Sequence, residues 1–305
     1  MGRSERLLIA CAVLIFVGCG DGGRGTTTAG VVDIGGGRMM YRECRGIGTP
    51  IVVLVSGKGN RADIWSARLD PTKPSPTVFR AVGEFTRVCA YDRPGTTLGT
   101  EAFSRSTPVK MPRTAADAVA DLQKLIRAAH LKGPFVLVGQ STGGLITRLF
   151  AATHPSEVAG MVEVDALSEF LQGPLDPAQI AAYDELNNAP IEGLDYPDLE
   201  QILFRPSFAE MRAAARRHPL ADIPLSVISR GIPLPLPKGL PAGLTTPVVE
   251  RAWREAQNRL AELTPDAVHV IAHHSSHYIM FSQPELIVEQ VRRVVEAVRA
   301  ADLKA

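Results

Sequence analysis

The sequence predicts an α/β fold, a mostly parallel sheet with helices on both faces, and three observations carry that prediction. Short continuous apolar runs recur along the chain and end in glycine or a turn residue, the pattern of strands buried on both faces. Between them lie stretches with apolar residues at helical spacing, and strand, helix, strand alternation of this kind builds a parallel sheet covered by helices. The chain has 305 residues, 45% of them hydrophobic, enough for one large core.

Taken in order, the first nineteen residues, "MGRSERLLIACAVLIFVGC", read as a targeting leader. Arg3 and Arg6 precede an apolar run from Leu7 to Val17, and Gly18 precedes Cys19. Apolar residues, a small residue and then cysteine resemble a bacterial lipoprotein lipobox, with Phe16 departing from the usual leucine. That resemblance implies a signal peptide over 1–18, lipidation of Cys19 and an exported protein tethered to the membrane through the lipid. A flexible Gly/Thr-rich tether is expected over 19–30. In that compartment Cys44 and Cys89 form either a disulfide or two buried small apolar side chains.

The core is expected over 31–167 and 223–305. "VVDI" and "RMMYREC" read as two strands separated by "GGG"; "TPIVVLVSG", "RVCAYDRPG", "PFVLVGQS", "GMVEVDA", "PLSVISRG" and, less cleanly, "AVHVIAH" follow. The clearest helix runs from Thr114 to Leu131, with Thr114 and Asp117 as a cap and Val119, Leu122, Ile126 and Ala129 on one face. The last helix starts at "SQPE" and places Ile287, Val291, Val294 and Val298 on one side. Residues 168–222 contain no convincing strand and read as a helical cap over one end of the sheet, where long insertions cover sites. Proline holds "GIPLPLPKGLPAGLTTP" out of helix and central strand.

Basic and acidic residues are nearly equal, 33 against 32, with no basic block. That excludes the footprint of a nucleic-acid binder or of a polybasic membrane surface and leaves a small molecule as the expected partner. No cysteine/histidine cluster has metal-ligand spacing and no dinucleotide fingerprint appears, so no metal or organic cofactor is expected.

The chemistry concentrates at "PFVLVGQSTGGL". Ser141 falls between a strand and a helix, in a turn so sharp that the residues two places either side, Gly139 and Gly143, must be small. The helix N-terminus then leaves the Thr142 backbone N–H free to hold an oxyanion. This G-x-S-x-G elbow, with its strand before and helix after, resembles the α/β-hydrolase family over Val31 to Leu303. The resemblance implies a mostly parallel eight-stranded sheet and a nucleophilic serine served by a histidine and an acid. His277, six residues before Gln283, matches the family's "GH…QP" ending better than His273 or His274.

The acid's usual place, after the seventh strand, is empty, since "SVISRGIPLPLP" has no carboxylate before Glu250. Asp165, at the end of "GMVEVDA", is expected in that role, with Glu163 as its rival. In "VSGKGNRADIW", Ser56 replaces the family's histidine, Gly57 survives, and the Lys58 backbone N–H matches the second oxyanion donor. Trp65 either walls the pocket or packs in the core. The resemblance also sets the second strand antiparallel beside the fourth, which makes a Cys44–Cys89 disulfide expected. The expected activity is hydrolysis of an ester or related acyl compound through an acyl-enzyme. Transfer of the acyl group, amide cleavage and perhydrolysis would use the same parts. A ligand-binding protein that has lost turnover is the reading from another class.

Overall fold

The computed structural model describes residues 26–68, 76–99, 102–188 and 198–303. The leader, Cys19 and the stretch 189–197 of the insertion lie outside the described residues. In chain order the elements are β1 (Thr27–Asp33), β2 (Met39–Arg45), β3 (Val52–Val55), α1 (Val78–Val82), β4 (Val88–Tyr91), β5 (Thr97–Leu98), β6 (Ala102–Phe103), α2 (Ala115–Ala128), β7 (Phe135–Gln140), α3 (Thr142–Thr153) and β8 (Val158–Val164). There follow α4 (Pro177–Asn188), α5 (Phe204–Arg217), β9 (Leu225–Arg230), α6 (Thr246–Ala261), β10 (Val268–Ala272), α7 (Ile279–Ser282) and α8 (Pro284–Asp302).

Eight strands form one sheet in the order β1-β2-β4-β3-β7-β8-β9-β10, and β5 pairs β6 apart from it. Only the β1–β2 and β2–β4 pairings of the large sheet are antiparallel; the other five are parallel. The apolar runs behave as strands buried on both faces. Along β3, Val53 and Val55 face a core shared with α2, α3, α5 and α6, while Val52 and Leu54 face a second core under α1 and α8. At about 1.5–3 kcal/mol per fully buried aliphatic side chain, this double burial is what makes the central strands rigid enough to carry a site at their ends.

Helix α2 starts where expected. Thr114 is its N-cap, and the Thr114 backbone N–H donates to Asp117 Oδ2 at 2.9 Å. Its expected face is buried at Val119, Leu122 and Ile126, and Ala129 is half-buried just past its end. The α8 face of Ile287, Val291, Val294 and Val298 is buried as the spacing implies.

Strand β1 begins four residues before the expected end of the tether, so 27–30 belong to the sheet. Thr27 to Gly30 pair with Arg45 to Arg42 through the backbone while their side chains stay exposed. An edge strand of this kind carries no apolar alternation for a sequence reading to find. Cys44 and Cys89 sit opposite each other in the β2–β4 ladder and are joined as a disulfide. Trp65 is 1% exposed within the α1/α8 core and does not reach the cavity described below. Between β8 and β9, α4 and α5 supply the expected helical cover. Among the described residues no helix is long and apolar enough to cross a membrane.

Candidate active site

The site begins with backbone geometry at the end of β7. Ser141 is held at φ 54°, ψ −123°, left-handed territory that a serine enters only under constraint. The constraint is visible on both sides. The Ser141 N–H donates to Val164 O, and its carbonyl accepts from the N–H groups of Gly144 and Leu167. A Cβ on Gly143 would stand 2.1 Å from Val55 O, and one on Gly139 would stand 2.6 Å from the Gly144 Cα. Two glycines are therefore required for α3 to start this close to β3 and β7. Ser141 Oγ, at the head of α3, has no hydrogen-bond partner among the described residues.

His277 arrives on the loop after β10. Gln283 Oε1 accepts from the His274 N–H and the Ser275 hydroxyl, at 2.9 and 3.1 Å, and ties that loop to the start of α8. His273 and His274 point away at the exposed surface. His277 Nδ1 lies 2.6 Å from Asp165 Oδ2. Its other nitrogen, Nε2, lies 3.2 Å from the Gln140 amide nitrogen, which also donates to His277 O. These partners fix the tautomer: Nδ1 carries the hydrogen and donates to Asp165, and Nε2 presents its lone pair. Ser141 and His277 line one cavity of about 250 Å³.

Asp165 follows β8 in a left-handed conformation, φ 42°, and is 0% exposed. Besides His277, its carboxylate accepts from Arg230 Nη1 at 2.6 Å, the Arg230 backbone N–H at 3.2 Å and Trp253 Nε1 at 2.8 Å. Burial pushes its acidity down, but the His277 hydrogen bond and the Arg230 charge outweigh it, so the group stays ionised below the ordinary aspartate range. Glu163, the rival, does not reach the imidazole. It lies under α3, 0% exposed, with Thr147 Oγ1 at 2.9 Å from its Oε1.

Lys58 and Thr142 bring the two expected backbone donors to the same cavity, and neither N–H has a partner among the described residues. Their loop is braced from below. Arg93 donates to the carbonyls of Ser56 and Gly57 at 2.8 and 2.7 Å, and to Glu200 at 2.5 and 2.9 Å. Glu200 also accepts from the Gly59 N–H at 2.7 Å. With the carbonyls turned towards Arg93, the following amide is left facing the cavity. Ser56, in the place of the family's histidine, donates to Arg61 O and leaves the backbone path intact.

The pattern of the Alpha/beta hydrolase family matches residues 52–290, most of the chain and every residue of this site. The chain belongs to the alpha/beta hydrolase family. A protein of Hormonema carpetanum described as "Probable transporter efuK" is 25% identical over 316 residues, covering 89% of this chain and 43% of that protein. The chain thus spans 43% of that relative's length, and 42% of that of an uncharacterized Schizosaccharomyces pombe protein to which it is 27% identical over 245 residues. The pimeloyl-[acyl-carrier protein] methyl ester esterase of Chromobacterium violaceum is 33% identical over 161 residues, 51% of this chain and 57% of that one. Among solved structures, a thermophilic esterase from Thermogutta terrifontis aligns over 89% of this chain and 99% of its own with a TM-score of 0.56, at 17% identity, a likeness of fold.

Within this alpha/beta hydrolase, three functional residues escaped the sequence reading. Arg230 ends β9, where the usual acid is missing, and bonds Asp165 on one side and Glu250, at 2.7 Å, on the other. Trp253 on α6 gives Asp165 a donor and meets His277 edge to face. Glu200 returns from the cap to Arg93 across 107 residues of sequence. No local pattern announces partners at such separations. The one available signal was Arg230 itself, a charge at the end of an otherwise apolar strand. A larger groove of about 750 Å³ along α4 and α5 contains neither Ser141 nor His277.

Proposed function

We propose that this protein is a serine hydrolase acting on an ester or related acyl compound through an acyl-enzyme. The observation that carries the reading is one cavity in which a strained serine, a histidine whose tautomer is fixed by a buried carboxylate, and two unpartnered backbone N–H groups converge. Family membership supports hydrolysis in general, and the matched esterases support an ester as the bond cleaved.

Ser141 Oγ attacks the carbonyl carbon as its proton passes to His277 Nε2, which turns from the Gln140 amide to the hydroxyl. The negative charge that develops on the carbonyl oxygen is met by the Lys58 and Thr142 N–H groups, which stabilise the transition state more than the ground state. Asp165 keeps Nδ1–H in place and stabilises the imidazolium. His277 returns the proton to the leaving alcohol, and the C–O bond to it breaks. Water, deprotonated by His277, then attacks the acyl-enzyme and releases the acid and Ser141. A cavity of about 250 Å³, at the small end for ligand pockets, suits a compact acyl group.

Ser141→Ala is expected to abolish turnover of 4-nitrophenyl acetate, about a 10⁴-fold loss or more, with an unchanged circular dichroism spectrum. Wild-type rates in the folded variant would end the assignment.

A further inference from the structure

The formal charges on the wall of the Ser141 cavity are unbalanced. Among the described residues, Lys58 and Arg230 line it, with His277, and no carboxylate does. The Arg230 charge is matched directly behind the wall by Asp165 and Glu250. The Lys58 ammonium is not. Among the described residues its hydrogen-bond partner is a neutral carbonyl, Asn187 O near the end of α4, and its other neighbour is the Phe204 ring, 5.7 Å to the centroid. Glu200 attracts it, but that carboxylate already accepts from Arg93 and from the Gly59 N–H. Half-buried and without an ion-pair partner among the described residues, the ammonium has lost water for only the distant pull of Glu200, a cost that an anion entering the cavity would reverse. Asn60, two residues on, adds to the same wall a side-chain amide that has no partner among the described residues.

The Lys58 charge lies on the covered side of the cavity. Lys58 touches the cap at α4 and α5, whereas the exposed rim residues Leu234 and Tyr278 belong to the loops after β9 and β10. The covered arm of the cavity and its open rim therefore belong to different elements. We propose that the acyl arm of the substrate lies under the cap and carries an anionic group, a carboxylate or its equivalent, held by the Lys58 ammonium beside the Asn60 amide. This rests on Ser141 being the nucleophile that the proposed function makes it.

The experiment compares kcat/KM for mono-4-nitrophenyl adipate, whose acyl arm ends in a carboxylate, with that for 4-nitrophenyl hexanoate. It is run in the wild type, Lys58→Met and Lys58→Arg, all of which keep the backbone N–H. The ratio of anionic to neutral substrate is expected to fall at least about tenfold in K58M and to be largely retained in K58R, as expected for a charge-assisted hydrogen bond. Adipate binding by calorimetry, which needs no turnover, is expected to weaken about as much in K58M. Equal ratios in wild type and K58M, or equal adipate affinity, would overturn the anion subsite; a lysine that only ties α4 down would lower both substrates together. Failure of both esters to turn over, with adipate still bound through Lys58, would instead count against the hydrolase reading alone.

Discussion

Two acidic side chains on one strand end up in opposite states, and the reason is what each one touches. Asp165 has four donors, one of them a guanidinium, and ionises more readily than an ordinary aspartate. Glu163, two residues earlier, has no ion pair among the described residues, and burial pushes it up to about 8 against the opposing pull of Thr147 and Arg148. Thr147 Oγ1 lies 2.9 Å from both Gly144 O and Glu163 Oε1; its single hydrogen serves one of them, and a protonated Glu163 supplies the other. The linkage follows. A carboxyl whose folded value is raised from 4.5 to about 8 favours the fold fully below 4.5, and that contribution is lost as pH rises towards 8. Glu163→Gln is therefore expected to flatten the decline in stability between those values, so that the variant gains on the wild type with rising pH in urea titrations. A wild type whose stability relative to E163Q is the same at pH 5 and pH 8 would show that Glu163 stays ionised in the fold. At this scale the elbow at Ser141 was legible in local spacing, whereas His277 and Asp165 were reached through the family resemblance, by its "GH…QP" ending and by a strand end on the serine's sheet edge. Arg230 and Trp253, 65 and 88 residues away from Asp165, were not.

Among the elements, the cap does more than cover. Its returning segment enters the core through Glu200, which with Arg93 fixes the loop between β3 and the short 3₁₀ turn at Ala62–Trp65. Both side chains of that pair are 3% exposed, so the loss of either partner leaves a buried charge uncompensated and is costly. Glu200→Gln keeps an acceptor for the Gly59 N–H but removes the charge opposite Arg93. The expected result is a fall in kcat of about tenfold with KM little changed, since the loop's backbone donor acts on charge that exists only in the transition state. A rise in KM alone would place Glu200 in substrate binding instead. The strands and helices were readable from apolar period because tertiary packing agrees with it on nearly every element. At the sheet's two edges the pattern weakens, because one side has nothing to bury against: β1 was read without its first four residues and β10 less cleanly than the rest, while α1, α6 and the two-residue strands β5 and β6 were not singled out.

For the molecule as a whole, one sheet collects contributions from distant parts of the chain at a single edge. β3 ends in the Lys58 loop, proposed to hold the oxyanion, β7 in Ser141, β8 in Asp165, β9 in Arg230 and β10 in the loop of His277. Parallel order is what allows this, because every one of these strands points the same way. The Cys44–Cys89 disulfide closes a separation of 45 residues and ties the antiparallel margin to β4, worth about 2–4 kcal/mol by chain entropy, and it fits an oxidising compartment. The sequence reading reached this architecture from alternation and one motif. It did not reach the cap's grip on the oxyanion loop, which depends on where a long insertion folds back.

The most direct measurement is the rate and site of labelling by a fluorophosphonate, which reacts only with an activated serine, read by intact mass and peptide mapping. The wild type is predicted to take up one label per chain at Ser141, with His277→Ala labelled about 10³-fold more slowly or worse. Labelling of H277A at the wild-type rate, or of a serine other than Ser141, would contradict the account.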